Sequence, residues 1–151
     1  VVLMRTLSKF GLAGVRLGYA LAAQPLLAQI DKVRPPYNVS VLNAECALFA
    51  LEHAQVFAAQ AQSICNERQR LLAALAALPG LQPFPSQANM ILLRVQGPPG
   101  AATRLHEALK ARHILVKNVS TMHPLLANCL RLTVGTAPEN TLLLAALEAT
   151  L

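Results

Sequence analysis

The sequence predicts an α/β protein, and three observations carry that expectation. Short apolar runs punctuated by β-branched or aromatic residues recur at 1–5, 15–22, 88–95, 114–119 and 129–134. Longer stretches at 40–52 and 56–78 repeat Leu, Ala, Ile and Phe at helical spacing. Gly-Pro clusters such as Pro79-Gly80 and Gly97-Pro98-Pro99-Gly100 separate them. With 151 residues and 54% apolar composition, the chain can bury a real core.

The two runs at 1–5 and 15–22 read as short buried strands on either side of a glycine-punctuated loop. A helix over 24–33 follows, with Leu26, Leu27, Ile30 and Val33 on one face and Pro25 suited to the first turn. Arg34-Pro35-Pro36-Tyr37-Asn38-Val39-Ser40 interrupts the pattern, since proline removes a donor and holds its predecessor extended. This segment is a connector and not the interior of an element. Ser40 caps the next helix, a break falls at 53–55, and a second helix runs from 56 to 78 with Phe57, Ile64, Leu71 and Leu75 inward. Then come a strand at 88–95, a helix at 101–112 and strands at 114–119 and 129–134. Thr136 with Glu139 forms a capping-box pattern that opens a last helix.

The loop between the first two runs carries the chemistry. Thr6-Leu7-Ser8-Lys9-Phe10-Gly11-Leu12-Ala13-Gly14-Val15-Arg16-Leu17-Gly18-Tyr19 places an amine, a hydroxyl and a guanidinium among glycines that let the backbone turn tightly. A lysine amine forms a Schiff base with an aldehyde, and the other two groups suit a phosphate. Together these are the requirements of pyridoxal 5'-phosphate. The string resembles the cofactor-lysine signature of fold-type-I aminotransferases, most closely the histidinol-phosphate aminotransferase family. The resemblance implies that Lys9 carries the cofactor and acts as the catalytic base, while Ser8 and Arg16 bind its phosphate. Lys9 and Arg16 stand one residue closer here than in many members.

A second group lies in Cys129-Leu130-Arg131-Leu132-Thr133-Val134-Gly135-Thr136. A buried unpaired cation costs several kcal/mol, so Arg131 requires an anion, supplied by a ligand or by Glu139 or Glu148. The string is similar to the same family's C-L-R-x-T-V-G-T segment, whose arginine receives the substrate's anionic group. The resemblance extends the substrate-binding set to Lys117 and places the segment with Tyr37 and Asn38 beside the active site. His123, in the Met122-to-Asn128 loop, reads as loop-ordering. His53, His106 and His113 carry no assigned role.

The resemblance also implies the fold, activity and assembly. The chain would be the C-terminal part of a longer enzyme, with 1–38 ending the large cofactor-binding domain and 39–151 forming a small α/β domain. The family's ring partners precede the lysine, whereas Asp31, the sole aspartate, follows it. The expected reaction converts L-histidinol phosphate and 2-oxoglutarate to imidazole-acetol phosphate and L-glutamate, in a cytoplasmic homodimer. Two neighbouring activities share the lysine signature: a related amino-acid aminotransferase and an amino-acid phosphate decarboxylase. A non-catalytic anion-binding or assembly fragment is the alternative from another class.

Composition narrows the field further. Thirteen Lys and Arg against seven Asp and Glu give +6, which suits anionic small molecules. The basic residues form no consecutive block and aromatics are few, which argues against nucleic acid. Cys46, Cys65 and Cys129 are widely spaced, without the pairing of a metal site or disulfide framework. The apolar runs are shorter than the roughly 20 residues a membrane span needs.

Overall fold

The computed structural model describes residues 1–151, except for the side chain of Lys9. Two compact units make up the chain, Val1–Gln60 and Ala61–Leu151.

In the first unit, β1 (Leu3–Thr6) pairs antiparallel with β2 (Gly18–Leu21), Leu3 facing Leu21 and Thr6 facing Gly18. A side chain at Gly18 would bring its Cβ within 2.8 Å of the Arg5 carbonyl oxygen, so glycine permits this close pairing. All four β1 residues are exposed, and in β2 Ala20 alone is half-buried. The expectation of buried strands is therefore corrected: a two-stranded ribbon has two faces, and this chain covers neither. The loop between the strands contains two 3-10 turns, Leu7–Phe10 and Ala13–Val15. Helix α1 (Gln24–Asp31) ends two residues earlier than its apolar periodicity suggests. Helix α2 (Val41–Glu52) starts at Ser40, whose hydroxyl accepts from the Asn43 N–H at 3.2 Å. His53 ends it, and α3 (Ala54–Ala77) follows at once.

The second unit holds the main core. Its sheet contains β3 (Leu81–Pro83), β4 (Met90–Val95), β5 (Lys117–Asn118) and β6 (Cys129–Thr133), in the order β3-β4-β6-β5 with every neighbour antiparallel. Strand alternation puts Ile91, Leu93, Leu130 and Leu132 on one face, all fully buried. Leu71 and Leu75 of α3, Leu105 and Leu109 of α4 (Ala101–Ala111), and Leu143 and Leu147 of α5 (Ala137–Glu148) pack into the same cluster. Two elements differ from the sequence expectation. Leu81–Pro83 is an additional edge strand, and the run at 114–119 narrows to a two-residue strand. Ile114 and Val116 instead dock their side chains on the core while Leu115 stays exposed. Arg68 of α3 is buried and donates to the Ala88 carbonyl at 3.2 Å.

The exit from β6 is anchored to two helices. Asn140, 1% exposed, accepts from the Gly135 N–H at 3.0 Å and donates to the Gly135 carbonyl at 2.9 Å and to Glu67 at 2.8 Å. Arg70 donates to the same Glu67 carboxylate at 2.8 Å. The Arg70 hydrogen bond, followed by that of Asn140, holds the Glu67 carboxyl below its usual range. The capping box at Thr136 forms as expected: Glu139 Oε2 accepts from the Thr136 N–H at 2.7 Å and from its hydroxyl at 2.8 Å. The backbone bond, then the hydroxyl bond, lower the Glu139 pKa. A lowered carboxylate contributes stability above its unfolded value of about 4.3, and loses that contribution as pH falls through the lower folded value. Glu139→Gln should therefore melt below wild type at pH 7, with the gap closing as pH falls toward 3. An acid series of thermal melts checks this.

Candidate active site

The lysine loop is closed at its neck. The Leu7 N–H donates to the Leu17 carbonyl at 3.0 Å, so Ser8 and Arg16 follow and precede the two bonded residues. Thr6 shapes the entry, its hydroxyl accepting from the Ser8 N–H at 3.1 Å and lying 2.9 Å from Ser8 Oγ. When Ser8 Oγ accepts from Thr6, its own proton is free to donate to an anion. Gly11 ends the first turn with φ 89°, a left-handed conformation that favours glycine. Arg16 also adopts the left-handed region, at φ 55°, and its exposed guanidinium makes one long 3.5 Å contact with the Ala13 carbonyl. The Lys9 side chain lies outside the described residues.

Two contacts that the sequence reading missed hold this loop. Asn43 Nδ2 donates to the Val15 carbonyl at 2.6 Å, and the Phe10 ring stacks on Phe57 at 4.9 Å between centroids. Asn43 stands three residues after the Ser40 cap, so its helix-start role masked the second one. Removing the bond with Asn43→Ala should cost about 1 kcal/mol locally and speed amide exchange at Val15 and Leu17 about five-fold. Exchange followed by NMR or mass spectrometry reads it.

Tyr37 and Asn38 lie in the proline connector. Tyr37 is 99% exposed with φ 57°, a strained conformation for an aromatic residue. Asn38 Oδ1 accepts from Arg34 at 3.1 Å, and Arg34 in turn donates to Asp31 at 2.7 Å.

In the second unit the other two predicted residues come together. Lys117 and Arg131 are register partners on β5 and β6, so both side chains leave the same sheet face, opposite the buried core. Both are exposed. Arg94, on β4 opposite Cys129, adds a third cation to this face. The face carries Gln82, Met90, Leu92, Thr133 and Cys129 besides, with no carboxylate among these positions. Glu139 is engaged by Thr136, and among the described residues no carboxylate pairs with Lys117 or Arg131. Two like charges directly opposite repel, and an arriving anion relieves that repulsion. His123 orders its loop, Nδ1 accepting from the Leu125 N–H at 3.2 Å.

A sheet with helices on one face is preceded in the chain by the closed loop that carries Lys9. Residues 1–147 match the family model for aminotransferase class I and II, and the chain belongs to that family. Its fold is the α/β fold of the pyridoxal-phosphate-dependent, fold-type-I aminotransferases. Among individual proteins, it is 67% identical over its whole length to a histidinol-phosphate aminotransferase of Polaromonas naphthalenivorans, and covers 40% of that protein. A crystal structure of histidinol-phosphate aminotransferase from Sinorhizobium meliloti with pyridoxal-5'-phosphate matches 99% of this chain and 41% of its own, at TM-score 0.77 and 29% identity. L-threonine-O-3-phosphate decarboxylase from Porphyromonas gingivalis matches at TM-score 0.79 and 26% identity, over 98% of this chain and 46% of that one. The chain thus spans about two-fifths of the length of the curated relatives it matches.

Proposed function

We propose that this chain works within a polypeptide of its relatives' length as a pyridoxal-phosphate-dependent aminotransferase, exchanging amino and keto groups between L-histidinol phosphate and 2-oxoglutarate. The observation that carries the reading is the closed loop around Lys9, in which the Ser8 hydroxyl and a nearly unengaged Arg16 guanidinium stand close to the lysine in sequence. That donor set fits a phosphate monoester, by charge and by hydrogen-bonding capacity. Lys9 would hold the cofactor covalently, as the sequence signature indicates. Bound pyridoxal phosphate supplies an electron sink for the substrate carbon.

The chain's own residues do the rest. Lys9 Nζ, released by the incoming amine, removes and returns a proton at the substrate carbon. Arg131 offers a planar fork and Lys117 a point charge to the substrate's phosphate or carboxylate. One anion site serves both half-reactions, which gives ping-pong kinetics. Tyr37, held in a strained conformation with its ring exposed, and Asn38 complete the substrate-binding set. Residues 1–38 belong to the cofactor domain and 39–151 to the small domain, in a cytoplasmic homodimer.

The likeness to an amino-acid phosphate decarboxylase favours a second reading in which the same anion site takes a phosphorylated amino acid. Product analysis separates the two. Incubated with L-histidinol phosphate and 2-oxoglutarate, the whole protein should form glutamate stoichiometrically with the keto product. Carbon dioxide released from a phosphorylated amino acid, with no glutamate formed, would replace the first reading by the second.

A further inference from the structure

We infer that Arg94 is a positioning residue, which keeps Lys117 beside Arg131 by tethering the loop that joins their strands; the inference rests on the anion-binding reading of that pair. The edge strand β5 has two residues, with Lys117 opposite Arg131 and Asn118 opposite Leu130. The preceding residues 114–116 make no ladder pairs; Ile114 and Val116 pack on the core and Asn118 Nδ2 donates to Thr103 Oγ1 at 3.1 Å, while the backbone pairing of β5 with β6 is continued by the chain that follows it.

That following chain, residues 119–128, is held at its two ends and once in between. At the base, the Val119 N–H donates to the Cys129 carbonyl at 3.1 Å. At the far end, Asn128 Nδ2 donates to the carbonyls of Gly97 and Pro98 at 3.2 and 3.0 Å, and its Oδ1 accepts from the Gly100 N–H at 3.1 Å. The middle is tied by Arg94, whose Nη2 donates to the Leu125 carbonyl at 2.7 Å. Its guanidinium lies 5.2 Å from the centroid of Phe84, a cation–π contact that fixes its direction. The Leu125 N–H is taken by His123, so both backbone groups of this residue are engaged by side chains. Without Arg94 the segment keeps its ends and loses its central tie, and the two-residue strand can fray, separating the cations.

A double-mutant cycle on the cofactor-loaded whole protein tests this, with inorganic phosphate as the calorimetric probe. Arg94→Met should weaken phosphate binding about five-fold in the wild-type background and less than about 1.5-fold when Lys117→Met is already present, because its effect runs through Lys117. Phe84→Leu retains every charge and should weaken binding about two-fold, again only when Lys117 is present. Equal factors for Arg94→Met in both backgrounds would mean a direct electrostatic contribution and overturn the inference. Wild-type affinity in Phe84→Leu together with such equal factors would overturn it even if Arg94→Met loosens the fold. A wild-type protein that binds no phosphate would overturn the anion-site reading itself, and this inference with it.

Discussion

Replacing Lys9 by alanine in the whole protein should lower kcat by at least about three orders of magnitude, because in the proposed function one amine both holds the cofactor and moves the proton. General acid–base catalysis by a positioned group contributes about 10²–10⁴-fold by itself, and the covalent role adds to it. Ser8, Arg16 and the loop neck remain in place, so the variant should still bind the cofactor, without the covalent bond. Added methylamine should restore a small part of the activity by supplying a diffusible base. Turnover in Lys9→Ala close to wild type would remove the mechanism altogether.

Arg131→Met should act on a different parameter. It preserves the length and much of the apolar stem of the side chain but removes the fork, leaving Lys117 as the single charge on that pair. Hydrogen bonds to charged partners contribute about 1.5–3 kcal/mol each, so KM for the phosphate-bearing substrate should rise about a hundred-fold. KM for 2-oxoglutarate should rise too, since the proposed function gives both anions one site, while kcat at saturation falls less. Arg131→Lys restores charge without planar bidentate geometry and should recover part of the loss. Steady-state kinetics on both half-reactions checks all three statements. A loss confined to kcat would move Arg131 from binding to catalysis.

The sequence was a good guide where local chemistry and burial agree. Ser40, Thr136 and Glu139 mark helix starts because their side chains satisfy otherwise unpaired amides. Along β6 the apolar Leu130 and Leu132 face the core and Arg131 the opposite side, since successive side chains of a strand point to opposite faces. Long-range geometry was less visible. The run Ile114-Leu115-Val116 has strand composition, yet its side chains are claimed by the core before its backbone reaches a partner. Leu81–Pro83 was hidden because three residues are too few to show alternation, and a proline can end an edge strand, where one side of the ladder is open.

The candidate site follows the same division. Lys9, Ser8 and Arg16 were legible as a contiguous string, and Lys117 with Arg131 through a family likeness. Their pairing across β5 and β6 is a consequence of sheet register, which no local signal encodes. Asn43, Phe57 and Arg94 support the two halves through contacts between distant segments. Each looked ordinary in sequence: a helix-start amide, a helix-face aromatic and a strand cation.

The most direct measurement traps the cofactor where it sits. The whole protein is loaded with pyridoxal 5'-phosphate, reduced with borohydride, digested, and its peptides weighed. The account predicts one pyridoxyl-phosphate adduct, stoichiometric with protein and located on Lys9. An adduct on another lysine, or none on a protein that still turns over, would contradict it.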